Sequence, residues 1–176
     1  FRRVLFRSDF EAAGAAFNQD KFAVTYDWRL GASAIALALE TPASGLDPQA
    51  FLVELQRRAQ GEPTWVEEAL VQIAALVARG AGHLEAARTL GTSPLARESV
   101  LAALWAFLAS SATYPEAVTA AALLGGDVDS ICAMSGALAG AVHGLSGIPV
   151  SWLKKLDHER PSVEEMIALC DEVNRV

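Results

Sequence analysis

The sequence predicts an all-α protein, a single compact multi-helix bundle, on three observations. Alanine fills 34 of its 176 positions, and alanine has the strongest intrinsic helix preference of any residue. Valine, isoleucine and the aromatic residues never alternate with polar ones over a strand-length run, so no half-buried strand is written into the chain. Glycine, proline and capping residues recur so as to divide the chain into roughly eight to ten short stretches of helical periodicity. Hydrophobic residues make up 52% of the chain, enough apolar surface to offset the ordering entropy that keeps more polar chains unfolded.

Residues 1–8, FRRVLFRS, have neither the apolar stretch nor the small-residue cleavage site of a signal peptide, and read as a non-native or disordered leader. Residues 9–176 then make one domain. A first helix is expected from Asp9 to Phe17, with Ser8 or Asp9 as its cap, and a second over Asp27–Glu40, where Leu30, Ala34, Leu37 and Ala38 share one stripe. Asp47-Pro48 pairs an N-cap with a proline at the first helical position, predicting a helix that carries Phe51, Leu52 and Leu55 and runs to Gly61. Thr64-Trp65-Val66-Glu67 is a capping box, so the next helix takes Trp65, Leu70, Ile73, Leu76 and Val77 inward and stops at Gly80. A short helix over His83–Leu90 ends at Gly91. The stretch Ala96–Ala109 spaces Val100, Leu101, Leu104, Trp105 and Leu108 as a strongly buried helix.

Thr113-Tyr114-Pro115-Glu116 is a second capping box, and starts a helix of alanine, valine and leucine that reaches Leu124 before Gly125-Gly126 break it. Residues 130–152 carry no Asp, Glu, Lys or Arg, and Gly136, Gly140 and Gly144 form a ridge at four-residue spacing. Small-residue ridges also occur between membrane helices. This stretch is half Gly, Ala and Ser, holds His143 and ends at Pro149, so a core helix closely approached by a neighbour is expected, and no membrane span. Helices over Pro149–Leu156 and from Ser162 onward complete the set. The last is expected to turn Val163, Met166, Ile167 and Cys170 inward.

A net charge of −7, with 14 scattered lysines and arginines, argues against a nucleic-acid partner, which requires a basic face. Two cysteines, Cys132 and Cys170, are too few for a disulfide framework or a thiolate zinc site and suit a reducing, cytoplasmic compartment.

The constellation with chemical content is Gly125-Gly126-Asp127-Val128-Asp129-Ser130. Carboxylates at i and i+2 of extended backbone point to one side, and two acids with a hydroxyl suit a hard divalent cation. They supply at most three oxygen ligands, an incomplete site. The plainer reading makes Asp127 or Asp129 the N-cap of the following helix. Elsewhere Glu98 is expected to be a solvated first-turn carboxylate, His143 a hydrogen-bonded histidine too far along its helix to share the cation, and Cys132 a small packing residue. His83, His158 and the segment from Lys154 to Arg160 read as solvated loop or turn.

Three motifs carry a resemblance to a known family: ESVLAALWAF, then GGDVDS followed by ALAGA, then Gly144-x-x-x-Ile148-Pro149-x-x-Trp152. In these the chain resembles the C-terminal portion of the ADP-ribosylglycohydrolase family, of the dinitrogenase-reductase-activating glycohydrolase-like type. The family form of the second motif is Gly-Gly-Asp-x-Asp-Thr, whose acids and hydroxyl bind one of two magnesium or manganese ions. The resemblance therefore implies Asp127, Asp129 and Ser130 as ligands of Mg²⁺ or Mn²⁺, with serine keeping the hydroxyl of the threonine it replaces. Tyr26 stands where the family usually has histidine, and the family's other acidic motif and its Gly-Asn-Gly-like phosphate loop have no counterpart in the sequence.

The resemblance further implies an all-α fold and hydrolysis of the glycosidic bond between ADP-ribose and a protein side chain or small acceptor. Its partners would be ADP-ribose or an ADP-ribosylated protein. The chain as given is expected to lack the N-terminal part of the fold and to be inactive alone. The alternative is a non-catalytic, crystallin-like structural or regulatory member of the same fold.

Overall fold

The computed structural model describes residues 24–60, 64–156 and 161–173. They form nine α-helices: α1 Val24–Glu40, α2 Pro48–Arg58, α3 Thr64–Ala78, α4 His83–Leu90, α5 Ala96–Ala109, α6 Tyr114–Leu123, α7 Val128–His143, α8 Val150–Leu156 and α9 Val163–Val173. The described residues contain no strand. The leader, the helix expected over Asp9–Phe17 and the side chain of Tyr26 lie outside what is described, as do Gly61 and the segment from Asp157 to Arg160. α1 begins three residues before the expected Asp27, and α2 closes at Arg58, short of Gly61.

Residues Ala23–Gly147 make one compact unit, and α5 is its axis. Every residue from Leu101 to Leu108 is buried. A helix apolar all round needs neighbours on every side, and α5 has them in α1, α3, α4, α6 and α7. α2 closes the layer over α1 and α3, with Phe51 meeting Phe107 edge to face at 5.7 Å. The predicted stripe Leu30, Ala34, Leu37 and Ala38 is buried, as are Leu70, Ile73 and Leu76 of α3.

Local chemistry sets the helix ends. Asp47 accepts hydrogen bonds from the N–H groups of Gln49 and Ala50, and Thr113 Oγ1 accepts from Glu116 N–H at 3.3 Å. α3 ends at Gly80, φ 63°, where Ala81 N–H donates to Leu76 O and Gly80 N–H to Val77 O. This is the pair of bonds that closes a helix through a left-handed glycine.

α7 is the helix of the glycine ridge, and its neighbour on that ridge is α6. A methyl group at Gly136 would stand 3.1 Å from the Tyr114 hydroxyl, and one at Gly140 would touch the same ring. The ridge thus lets an aromatic side chain lie against backbone. Among the described residues no helix is long and apolar enough to cross a membrane.

The described residues from Ile148 onward belong to a second unit, whose helices are α8 and α9. Ser162 and Glu165 form the reciprocal capping box that starts α9. The inward stripe expected on α9 is corrected: Met166 and Ile167 are exposed, and Val163 and Cys170 are only half-buried. Amphipathic spacing offers a face for burial, but burial also needs a facing element. Lys154 and Lys155 lie in the last turn of α8, not in a loop.

Candidate functional site

The Gly-Gly-Asp segment joins α6 to α7. Gly125 and Gly126 hold φ of 74° and 71°, conformations open to glycine and strained for other residues. Gly126 lies against Thr92, so that a Cβ there would collide with the Thr92 carbonyl and side chain. That close approach allows Asp127 N–H to donate to the Thr92 carbonyl at 2.8 Å. Val128 N–H donates to Gly126 O at 2.9 Å across Asp127, whose φ of −79° and ψ of 63° are those of an inverse γ-turn.

The γ-turn corrects one expectation, since the backbone of the motif is not extended. Asp127 holds the N-cap position of α7, as the plainer reading has it, but without a side-chain cap bond. Its carboxyl interacts with that of Asp129 instead. This contact is the largest of the causes that hold Asp129 below the usual aspartate range, with the N–H groups of Asp129 and Ser130 adding to it. Asp127 and Ser130 are half-buried and Asp129 is exposed. An all-oxygen set of this kind suits a hard divalent ion. Among the described residues, no three His, Cys, Asp or Glu side chains converge as a metal-binding group, so the pair can supply only part of a coordination sphere.

Glu98 is where the expectation of a solvated carboxylate fails. It is half-buried in the first turn of α5, and its Oε2 accepts from Ser93 N–H at 3.0 Å. The Ser93 hydroxyl also bonds to this carboxylate and is the largest of the causes that hold it below the usual glutamate range. Gly91, at φ 79°, leaves room for the carboxylate where a Cβ would collide with it. Sequence reasoning passed over Thr92 and Ser93. The available signal was the pair Gly91 and Gly126, two glycines at positions where a side chain would block a contact.

The family model for ADP-ribosylglycohydrolase matches residues 19–176. The chain belongs to the ADP-ribosylglycohydrolase family. It is 42% identical over 59 residues to the ADP-ribosylarginine hydrolase Tri1 of Pseudomonas putida (strain GB-1), a match covering 34% of this chain and 16% of that protein. It is 33% identical over 102 residues to the ADP-ribosylhydrolase ARH3 of Homo sapiens, covering 52% of this chain and 27% of that one. The chain thus spans well under two thirds of the length of these curated relatives.

The other polar residues of this ADP-ribosylglycohydrolase chain have structural work. His143 Nε2 lies 3.0 Å from the Ser111 carbonyl, the hydrogen-bonded histidine that was expected. His83 opens α4, not a loop, and its ring stands edge to face with Trp105 at 5.7 Å. Trp105 Nε1 has no hydrogen-bond partner among the described residues. Burial, then the charge of Asp129, pushes the Cys132 thiol up, and its Sγ lies 3.7 Å from Val118 O. It packs and is not activated. A cavity of about 40 Å³ between α1, α5 and α7 is lined by Leu30, Ile35, Val100 and Met134, too small and too apolar to seat a nucleotide.

Proposed function

We propose that this chain contributes to metal-dependent hydrolysis of the glycosidic bond between ADP-ribose and a modified protein side chain or small acceptor, reversing ADP-ribosylation. The observation that carries the reading is the interaction of the Asp127 and Asp129 carboxyls at the start of α7, with the Asp127 side chain making no cap bond. The names of the relatives, hydrolases of ADP-ribosylated substrates, point the same way. Asp127, Asp129 and the Ser130 hydroxyl would hold Mg²⁺ or Mn²⁺ as oxygen ligands. When bound, such an ion supplies positive charge and a polarised water beside the ribose, where an oxocarbenium-like transition state develops. The chain's own part is to present two acids on one helix start, whose backbone is anchored by the Asp127 N–H bond to the Thr92 carbonyl. Two free thiols, Cys132 and Cys170, suit the reducing cytoplasm.

The test is Mn²⁺ titration of the chain by electron paramagnetic resonance. It is paired with ADP-ribose release from ADP-ribosylated protein by the product of the complete reading frame. Asp127→Ala and Asp129→Ala should each weaken Mn²⁺ binding and lower release at least about a hundredfold. Unchanged Mn²⁺ binding in both variants, with release at the wild-type rate, would overturn the proposal.

A further inference from the structure

We infer that Glu98 is a positioning residue for the Asp127–Asp129 pair, acting through the Gly91–Leu95 loop. The inference rests on the reading of that pair as metal ligands.

The loop between α4 and α5 has three anchors. At one end the Glu98 carboxylate takes the N–H and hydroxyl of Ser93. Ser93 Oγ in turn accepts from Leu95 N–H at 3.3 Å, closing the loop onto the start of α5. Across the site, the Thr92 carbonyl accepts the Asp127 N–H at 2.8 Å. Thr92 and Ser93 are adjacent, so the Thr92 carbonyl can move only with the peptide plane it shares with the Ser93 N–H. Fixing that N–H fixes the acceptor that holds Asp127.

The Asp127 side chain takes no cap bond from α7, so apart from its interaction with Asp129 its placement follows its backbone. Its backbone is set by the γ-turn and the Thr92 bond. Both glycines that bracket the relay leave room for it: a Cβ at Gly91 would collide with the Glu98 carboxylate, and one at Gly126 with Thr92. An N3 glutamate ordinarily reaches back to the N–H of its own N-cap. Here the N-cap is Leu95, and Glu98 reaches two residues further, to Ser93.

The experiment compares wild-type chain with Glu98→Ala, Glu98→Gln, Ser93→Ala and Asp127→Ala. Mn²⁺ affinity is read by electron paramagnetic resonance, and exchange of the Asp127 amide by nuclear magnetic resonance. Glu98→Ala should weaken Mn²⁺ about tenfold, as loss of a ligand-orienting partner does, and speed Asp127 amide exchange. Glu98→Gln keeps an acceptor for Ser93 N–H without the charge and should recover most of both. Ser93→Ala, which leaves the N–H bond in place, should fall between wild type and Glu98→Ala and serves if the latter does not fold.

Wild-type Mn²⁺ affinity in Glu98→Ala, with Asp127→Ala defective, would overturn the positioning role and leave the metal reading standing. A glutamine variant as weak as the alanine one would also overturn it, by showing that the charge acts directly on the ion. Unchanged affinity in Asp127→Ala would bring down the metal reading and this inference with it.

Discussion

Among the described residues two helices begin at an aspartate, and the two aspartates do opposite work. Asp47, with extended backbone at φ −102° and ψ 115°, turns its carboxylate onto the N–H groups of Gln49 and Ala50 and caps α2. Asp127 holds the same position on α7, but at φ −79° and ψ 63° its carboxyl leaves the helix N–H groups alone and meets Asp129. The residue type and helix position are shared. The difference is the tertiary bond from Asp127 N–H to Thr92 O, made across a glycine that has no side chain to prevent it. A helix start held from outside leaves its first acid free for chemistry.

The largest effect should come from breaking that outside hold. Gly126→Ala combines a positive φ with a collision against Thr92 and should cost about 2–4 kcal/mol in urea unfolding. Gly125→Ala, with nothing within 4 Å of its added methyl, should cost only about 1–2 kcal/mol. Equal costs at the two glycines would mean that the close approach to Thr92 does not matter.

Next come the aspartates themselves. Asp47→Ala should lose about 1 kcal/mol of stability, the ordinary worth of a cap, with Mn²⁺ binding unmoved. Asp127→Ala should change stability by less than about 0.5 kcal/mol, since no cap bond is lost, while Mn²⁺ binding falls. If both variants lost the same stability, the comparison would collapse into two ordinary caps.

The smallest effect concerns acid. Glu54, on the helix that Asp47 caps, bonds Arg57 and Arg58, which lower its carboxyl from 4.5 to about 2. A carboxylate with a lowered folded value contributes stability above its unfolded value, and the contribution disappears as pH falls from about 4.5 towards about 2. Glu54→Gln should therefore make the acid limb of a stability-against-pH curve slightly shallower over that window. A limb of unchanged slope would show that these exposed ion pairs contribute nothing measurable.

Much of this molecule was legible as local pattern. The cap at Thr113, the proline after Asp47 and the glycine at 80 mark helix ends because their hydrogen bonds are made within a few residues. The buried run of α5 was legible because a stretch with almost no polar residue has only one place to go. Glu98 was misjudged for the converse reason. Its partner, Ser93, lies outside the helix, and a first-turn glutamate has the same local signature whether it faces water or a loop. Met166 and Ile167 failed similarly, because periodicity states which face is apolar and not what covers it.

The sequence by itself determined an all-α chain, the boundaries of the described helices to within a few residues, and the placing of two acids in the Gly-Gly-Asp segment at the start of one helix. These rest on spacing, capping and turn chemistry, all short-range. Only the tertiary structure decided that Asp127 does not cap α7, that Tyr114 is the neighbour the glycine ridge admits, and that Glu98 reaches the site through Ser93 and Thr92. Each of those depends on two segments distant in sequence meeting at a glycine, and a contact between distant segments has no periodicity along the chain.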